Sequence, residues 1–455
     1  MIHSGILIAA FTLLQPQFIF AAPTVNVTSI VPSAVPSASY SSSSQFPIDI
    51  STAVESTPTA GYASDDPNYS FYDQFQDEAV PEAIRGTLGA TVIGPQNIPI
   101  DRESPDFLAP PTTDAGSIDN AKWPFGLSHN HLQTGGWARQ QNVGNMPLAT
   151  AMAGVDMRLE AGAIRELHWH TAAEWGYVIK GTTRITAINP NGQNYEANTN
   201  PGDIWYFPPG VPHSIQATND TAEGAEFLLV FDDGAFNEDE TFLLTDWLAH
   251  IPKEVLAKNF GANISAFDHI PARELYIFPG TPPPPVSEDE VSDPLGHAST
   301  PFSLAWSQIS PTPLAGGSVK VVDSTNFPAS LTIAAADVTV DVGGLRELHW
   351  HPTQAEWSYF ISGEARMTIY AANGNAITFN YQAGDIGYVP PSNAHYIENI
   401  GNETLHYLEI FKTDQFQDIS LNQWLALTPP ELVKAHLDID DATIALFNKT
   451  KQYVV

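Results

Sequence analysis

Along most of the chain apolar residues recur at every second position in short runs, and Gly, Asn or Pro ends each run. Thr183-Arg184-Ile185-Thr186-Ala187-Ile188 and Ala365-Arg366-Met367-Thr368-Ile369-Tyr370 are typical. A period of two puts alternate side chains on opposite faces of a strand. Closely spaced strands with such turns predict a barrel or double-sheet jelly roll. Only residues 245–260 and 422–437 read as helical, with Pro252 and Pro429-Pro430 near helix starts. The pattern predicts an all-β dominated protein with a few short helices.

The pattern also repeats. Arg165-Glu166-Leu167-His168-Trp169-His170 returns unchanged as Arg346-Glu347-Leu348-His349-Trp350-His351. Ala173-Glu174-Trp175 returns as Ala355-Glu356-Trp357, and Gly202-Asp203-Ile204 as Gly384-Asp385-Ile386, each of these last followed by a His, at 213 and 395. Trp247-Leu248-Ala249 has its counterpart in Trp424-Leu425-Ala426. The offset is 181 for the first motif (168 to 349), 182 for the Glu and the last His (174 to 356, 213 to 395) and 177 for the Trp (247 to 424). Two copies of this size predict tandem domains, over residues 120–278 and 299–455. Between them, Pro279-Gly280-Thr281-Pro282-Pro283-Pro284-Pro285 and the acidic Ser287-Glu288-Asp289-Glu290 predict a linker over 279–298, because consecutive prolines continue neither sheet nor helix.

Each copy carries a constellation with chemistry. His168 and His170 are two apart on a predicted strand, so both imidazoles point to one face, with Leu167 and Trp169 packing the other. Glu174 follows across a hairpin, and His213 arrives after turns at Gly202-Asp203 and Pro208-Pro209-Gly210. The second copy offers His349, His351, Glu356 and His395. A single His on a strand is ordinarily a satisfied core or surface residue. Two complete sets in register are improbable as packing alone, and they predict two metal sites. Nitrogen and oxygen donors without sulfur admit Mn, Fe, Zn, Ni or Cu. Four protein ligands leave two positions open on an octahedral ion.

Composition narrows the setting. Hydrophobic residues are 43% of the 455, enough for sizeable cores. Eighteen basic against 51 acidic residues give a net charge of −33, which opposes binding to nucleic acid or anionic membrane. With no cysteine, disulfides, thiolate metal sites and cysteine nucleophiles are excluded. The apolar run Ile6 to Leu14, followed by Ala21-Ala22-Pro23, predicts a signal peptide over 1–22 and hence a secreted, extracellular protein. Residues 23–75, rich in Ser, Thr and Pro at least to about 66, read as a flexible, O-glycosylated leader. Six N-x-Ser/Thr sequons, at Asn26, Asn68, Asn219, Asn263, Asn402 and Asn448, favour a glycoprotein.

The two His-x-His…Glu stretches with their downstream Gly-Asp…His resemble cupin motifs. The duplicated Arg-Glu-Leu-His-Trp-His closely resembles the bicupin oxalate decarboxylases. The likeness runs from about Trp123 to Leu446 and includes Asp323-Ser324-Thr325-Asn326-Phe327 and Asn380-Tyr381-Gln382-Ala383-Gly384-Asp385. The resemblance implies two tandem cupin jelly-roll barrels and two Mn(II) per chain. It implies cleavage of oxalate to formate and CO₂, with O₂ as co-catalyst and no net oxidation. Oxalate is then the small-molecule partner, and homo-oligomerisation is left open.

Within that resemblance further residues acquire roles. Arg165 and Arg346 stand three residues before the first ligand His, and a guanidinium suits a carboxylate substrate. Strict alternation puts Arg165 on the face opposite His168, so its role requires a bulge between them. From Phe231 to Trp247 is 16 steps but from Phe411 to Trp424 only 13, so the first copy has three extra residues in the acidic segment Phe236-Asn237-Glu238-Asp239-Glu240-Thr241-Phe242. The family's lid glutamate falls on Glu238, which would take a proton from oxalate and return it to carbon; Glu240 is a stand-in. Asn237, Asp239 and Glu240 differ from the Ser-Glu-Asn-Ser lid of bacterial members. Glu409 matches a glutamate near the second metal, either as a proton-transfer group or paired with Arg346. The rivals are an oxalate oxidase making CO₂ and H₂O₂, a cupin dioxygenase of aromatic substrates, and a non-enzymatic storage or binding bicupin.

Overall fold

The computed structural model describes residues 110–455, together with Pro95, Asn97, Ile100 and 104–107. The expected signal peptide, the 23–75 leader and the sequons at Asn26 and Asn68 lie outside the described residues. Two β-barrels follow one another, each of two antiparallel sheets. In the first barrel one sheet runs Ser303–Leu304, Ile204–Phe207, Glu174–Lys180, Ala225–Phe231, Ala153–Leu159, Gly136–Gln141, Asn130–Gln133. The facing sheet runs Phe242–Leu243, Ile164–Trp169, His213–Ala217, Thr183–Ile188, Asn194–Thr199, with Ile277–Phe278 also paired to Ile164–Trp169. The second barrel repeats this, its Leu345–Trp350, Glu356–Ser362 and Ala394–Asn399 strands standing where the first has Ile164–Trp169, Glu174–Lys180 and His213–Ala217.

The barrels exchange edge strands. Lys122–Pro124, which sequence order assigns to the first copy, pairs with Asp385–Val389 of the second. Ser303–Leu304, assigned to the second copy, pairs with Ile204–Phe207 of the first. Each insertion caps a sheet edge that would otherwise offer unpaired backbone groups. Between the barrels the apolar core is continuous, and Trp175, Trp306 and Trp357 in it are fully buried. The Trp357 indole N–H donates to Gln141 of the first barrel at 2.7 Å. An aromatic side chain buries 150–250 Å², or on the order of 4–6 kcal/mol of transfer free energy.

The predicted helical stretches each form two short helices. Leu244–Ala249 and Lys253–Phe260 are separated by the residues before Pro252, and Leu421–Ala426 and Pro430–Leu437 by those before Pro429-Pro430. Proline at a helix start disfavours helical backbone in the residue before it, so one long helix is not available. The linker is bound to the first barrel. Arg184 Nη2 donates to Pro284 O and Nη1 to Asp289, both at 2.7 Å, while Asn194 N–H donates to Asp293 at 2.8 Å.

Two buried carboxyls make folding pH-dependent. Asp156 accepts Arg139 through Oδ2, but its Oδ1 is buried without a partner. Burial, with the neighbouring charge of Glu226, pushes it up to about 7 against the pull of Arg139. Asp106 is likewise buried, and burial pushes it up to about 6 against the charge of Lys122 and the backbone N–H groups of Asp106 and Asn380. Raised folded-state values mean that the native state holds protons the unfolded chain has released. The stability they contribute is present in acid and is lost as pH rises from near 4 through 7. Buried imidazoles with lowered values act oppositely, so the informative comparison is with Asp156→Asn. The melting-temperature difference, wild type minus variant, is expected to fall between pH 4.5 and 7.5. A difference independent of pH would contradict it.

Candidate metal centres

In each barrel four ligand side chains meet between the sheets. His168 and His213 sit directly opposite each other on paired strands, and His349 faces His395 in the same way. His170 and His351 follow just beyond their strands, and Glu174 and Glu356 open strands of the facing sheet. In each set the donor atoms lie within 4.8 Å of one another, and all eight residues are buried. The sequence-predicted sets are thus brought together, four in each barrel.

Hydrogen bonding fixes how the imidazoles present themselves. Every ligand His has its Nδ1 against a backbone carbonyl: Glu166, Ala172 and Val211 in the first barrel, Glu347, Gln417 and Asn393 in the second. A carbonyl only accepts, so Nδ1 carries the proton and the Nε2 lone pair faces the centre. Burial pushes His168, His213 and His349 down, with Arg165 adding to the effect at His168 and Arg346 at His349, which keeps these rings neutral. Glu174 Oε1 accepts the Trp205 indole N–H at 2.8 Å, so Oε2 is turned to His170 at 3.2 Å and His213 at 3.3 Å. Glu356 Oε1 accepts the Ser358 hydroxyl at 2.6 Å, and its Oε2 lies 3.0 Å from His351 and 2.9 Å from His395. Burial alone would push both carboxyls up, and only positive charge on the imidazole side of each centre holds them far below the usual range. Imidazole lone pairs converging on a carboxylate oxygen, with His213 Nε2 and His349 Nε2 buried without hydrogen-bond partners, require a cation between them. The donor set fits a divalent metal of the Mn or Fe type in both barrels.

The required bulge is present. Opposite two steps on the partner strand, from His213 to Ile215, the Ile164–Trp169 strand spends three, from His168 back to Arg165. The same shift separates Arg346 from His349. It turns Arg165 and Glu166 both inward. The opposite face is not a packed one, since Leu167 is 48% and Leu348 37% exposed. Trp169 there stacks on Phe242 and meets Trp247 edge-on.

Arg165 reaches Glu238 from Nε at 2.9 Å and from Nη2 at 2.6 Å, while its Nη2 also donates to Thr241. Its Nη1 is buried with no partner. Glu238 is 4% exposed. Burial pushes its carboxyl up, the charge of Arg165 draws it back, and the charge of Glu174 raises it again. Glu240 instead bonds Asn237 on the exposed side of the turn, away from Arg165. In the second barrel Arg346 binds Glu409 at 2.9 Å and Asp418 at 2.9 Å, and Glu409 also accepts the Tyr407 hydroxyl. The ion pair weighed for Glu409 is therefore what the structure contains.

Several residues here escaped sequence reasoning. Glu166, inside the repeated motif, accepts Thr245 N–H and Oγ1 through Oε1, and Leu275 and Tyr276 N–H through Oε2. It holds Tyr276 at φ 57° beneath Arg165, whose guanidinium carbon is 4.4 Å from the ring centre. Glu347 does the same for Tyr453, also at φ 57°. Their exact repetition was the available signal. Trp205 gave none, because it lies on a different strand from the ligand it holds.

Two β-barrels, each enclosing a three-histidine, one-carboxylate centre, define a two-site metalloprotein of the cupin class. The family description "Cupin" matches residues 128–266 and 310–445. The oxalate decarboxylase of Bacillus subtilis is 52% identical over 376 residues, spanning 83% of this chain and 97% of its own. A probable oxalate decarboxylase of Arthroderma benhamiae is 42% identical, over 81% and 91% of the two chains. A solved structure of the Bacillus subtilis oxalate decarboxylase, studied for its Mn(II) centres, superposes with a TM-score of 0.80 at 51% identity, over 83% of this chain and 99% of that one. The chain belongs to the cupin family, in its bicupin oxalate decarboxylase branch.

Proposed function

We infer that the protein is a manganese-dependent oxalate decarboxylase, converting oxalate to formate and CO₂ in an O₂-requiring, redox-neutral reaction. One observation carries this reading. A buried arginine–glutamate pair stands beside each ligand set, but only beside the first is the arginine bound by a single carboxylate, Glu238, carried on a turn that lines open clefts; Arg346 is bound by both Glu409 and Asp418. His168, His170, Glu174 and His213 would hold Mn(II), which when bound would supply a Lewis acid for a carboxylate and O₂-dependent one-electron chemistry. Arg165 Nη1 holds and polarises the substrate through a charge-assisted hydrogen bond. Glu238 accepts the carboxylic proton of the oxalate monoanion. After the C–C bond breaks and CO₂ leaves, Glu238 returns that proton to carbon as the C–H bond of formate. Burial of the site keeps water from competing for this proton.

The second set, His349, His351, Glu356 and His395, would hold a second Mn(II) in a structural, electron-relaying or weakly catalytic role, because Arg346 is engaged by two carboxylates. Secretion and glycosylation fit the N-terminal apolar run and the exposed sequons at Asn219, Asn263, Asn402 and Asn448. Homo-oligomerisation fits apolar faces present in both halves, Phe242, Trp247 and Phe260 in one and Trp424, Leu427 and Leu432 in the other, all more than half exposed.

Metal depletion and refilling test the reading. Chelated protein should form no formate, and Mn(II) should restore one formate per oxalate consumed with little H₂O₂. Stoichiometric H₂O₂ would make it an oxidase. Inertness toward oxalate, with O₂ uptake on aromatic diols, would make it a dioxygenase.

A further inference from the structure

We propose that Gln140 and His131 are positioning residues of the reaction: from the hairpin of Asn130–Gln133 and Gly136–Gln141 they clasp the Glu238 turn shut over Arg165. The inference rests on the decarboxylase reading. Gln140 makes two contacts with one amide. Its Oε1 accepts the backbone N–H of Glu238 at 2.9 Å, and its Nε2 donates to Asn237 Oδ1 at 2.9 Å. Asn237 is the cap of the short Glu238–Glu240 helix, where its side chain also accepts the Asp239 N–H. A single side chain thus fixes the backbone of the proton-transfer residue and the cap of the turn that carries it. Just beyond the same strand, Asn142 donates to Phe236 O at 3.0 Å.

His131 holds the next residue of the turn. The Gln133 amide nitrogen, 2.9 Å from His131 Nε2, can only donate. Nε2 therefore accepts, and Nδ1–H donates to Asp239 Oδ1 at 2.8 Å. The ring lies flat on Tyr276, with centres 4.3 Å apart and planes 11° from parallel. Tyr276 in turn lies beneath Arg165 and offers its hydroxyl to Glu238 at 3.4 Å. Two open clefts, of about 190 and 680 Å³, share His131, Glu238, Asp239 and Tyr276 as walls. The turn is therefore the partition between the clefts and the buried Arg165. The second barrel, three residues shorter here, lacks this turn.

The clasp has a chemical consequence. With the turn closed, Glu238 returns its proton to carbon and formate leaves. With it open, that return fails, and the oxalate monoanion passes two electrons to O₂, which takes up the monoanion's proton and one more from solvent, giving two CO₂ and H₂O₂. Loosening the clasp should therefore move the product ratio without removing metal.

The test compares holoenzyme with Gln140→Ala and His131→Ala, measuring H₂O₂ per formate, metal content, and hydrogen–deuterium exchange across residues 236–241. Gln140→Ala, losing two hydrogen bonds, should raise both the ratio and the exchange rate about five-fold or more. His131→Ala breaks a contact whose partners are 39% and 55% exposed, so about two-fold is expected. If Gln140→Ala loses metal or fails to fold, His131→Ala decides. Unchanged exchange in metal-replete variants overturns the clasp. Faster exchange with an unchanged ratio also overturns it, because the contacts then hold the turn without positioning Glu238. Faster exchange in a protein whose wild type makes no formate leaves the clasp standing and removes the decarboxylase reading.

Discussion

Glu238→Ala is expected to lower the formate-forming rate by roughly 10²- to 10⁴-fold, the usual worth of general acid–base catalysis, while both metals stay bound. Glu238 is the carboxyl that reaches Arg165, and its pull on that guanidinium comes from a side chain 4% exposed. The loss removes the proton carrier and leaves C–C cleavage without its protonation step, so H₂O₂ per formate should rise. Removing one partner of a buried ion pair also costs about 3–5 kcal/mol. Glu238→Gln separates the two effects. The amide keeps a hydrogen bond to Arg165 but cannot shuttle a proton, so it should be nearly as inactive yet melt closer to wild type. Formate yield at the wild-type level from either variant would end the assignment.

The second large effect separates the two metal centres. His213→Ala and His395→Ala should each lose one metal equivalent, since each removes a ligand facing its pair across a strand ladder. Only His213→Ala should abolish turnover, by more than about 10³-fold, because the metal chemistry and the oriented substrate are lost together. His395→Ala should retain most of it. In the second barrel Arg346 is held by both Glu409 and Asp418, and Glu409 is fixed on the Leu405–Phe411 strand where it also accepts the Tyr407 hydroxyl, so that centre has no turn-borne carboxyl to move a proton. Elemental analysis and steady-state formate assays on the same preparations report this. A reversed pattern, with His395→Ala inactive and His213→Ala active, would place catalysis in the second half.

The ligand sets were legible because strand parity and duplication both constrain them: two imidazoles at i and i+2 share a face wherever a strand forms. The architecture was legible for the same reason. The bulge before His168 was not, since periodicity shows which faces residues occupy only while the register is unbroken. It could be demanded by the role of Arg165 but not seen. The strand exchange escaped because the three-residue Lys122–Pro124 and two-residue Ser303–Leu304 strands are too short to carry a period. Trp205, Gln140 and His131 escaped because their partners lie 31, 98 and 108 residues away. Such contacts are fixed by the closed barrel and leave no local pattern. Glu166 was in view within the motif, yet its work, four hydrogen bonds holding two other segments, belongs to the folded site.

The most direct measurement is to incubate the purified, Mn-loaded protein with oxalate in acid under air, quantifying formate, CO₂ and H₂O₂ while elemental analysis is run on the same sample. Two Mn per chain, equal amounts of formate and CO₂, and only traces of H₂O₂ are expected. No oxalate turnover in a fully loaded sample, or H₂O₂ in place of formate, would contradict the decarboxylase reading.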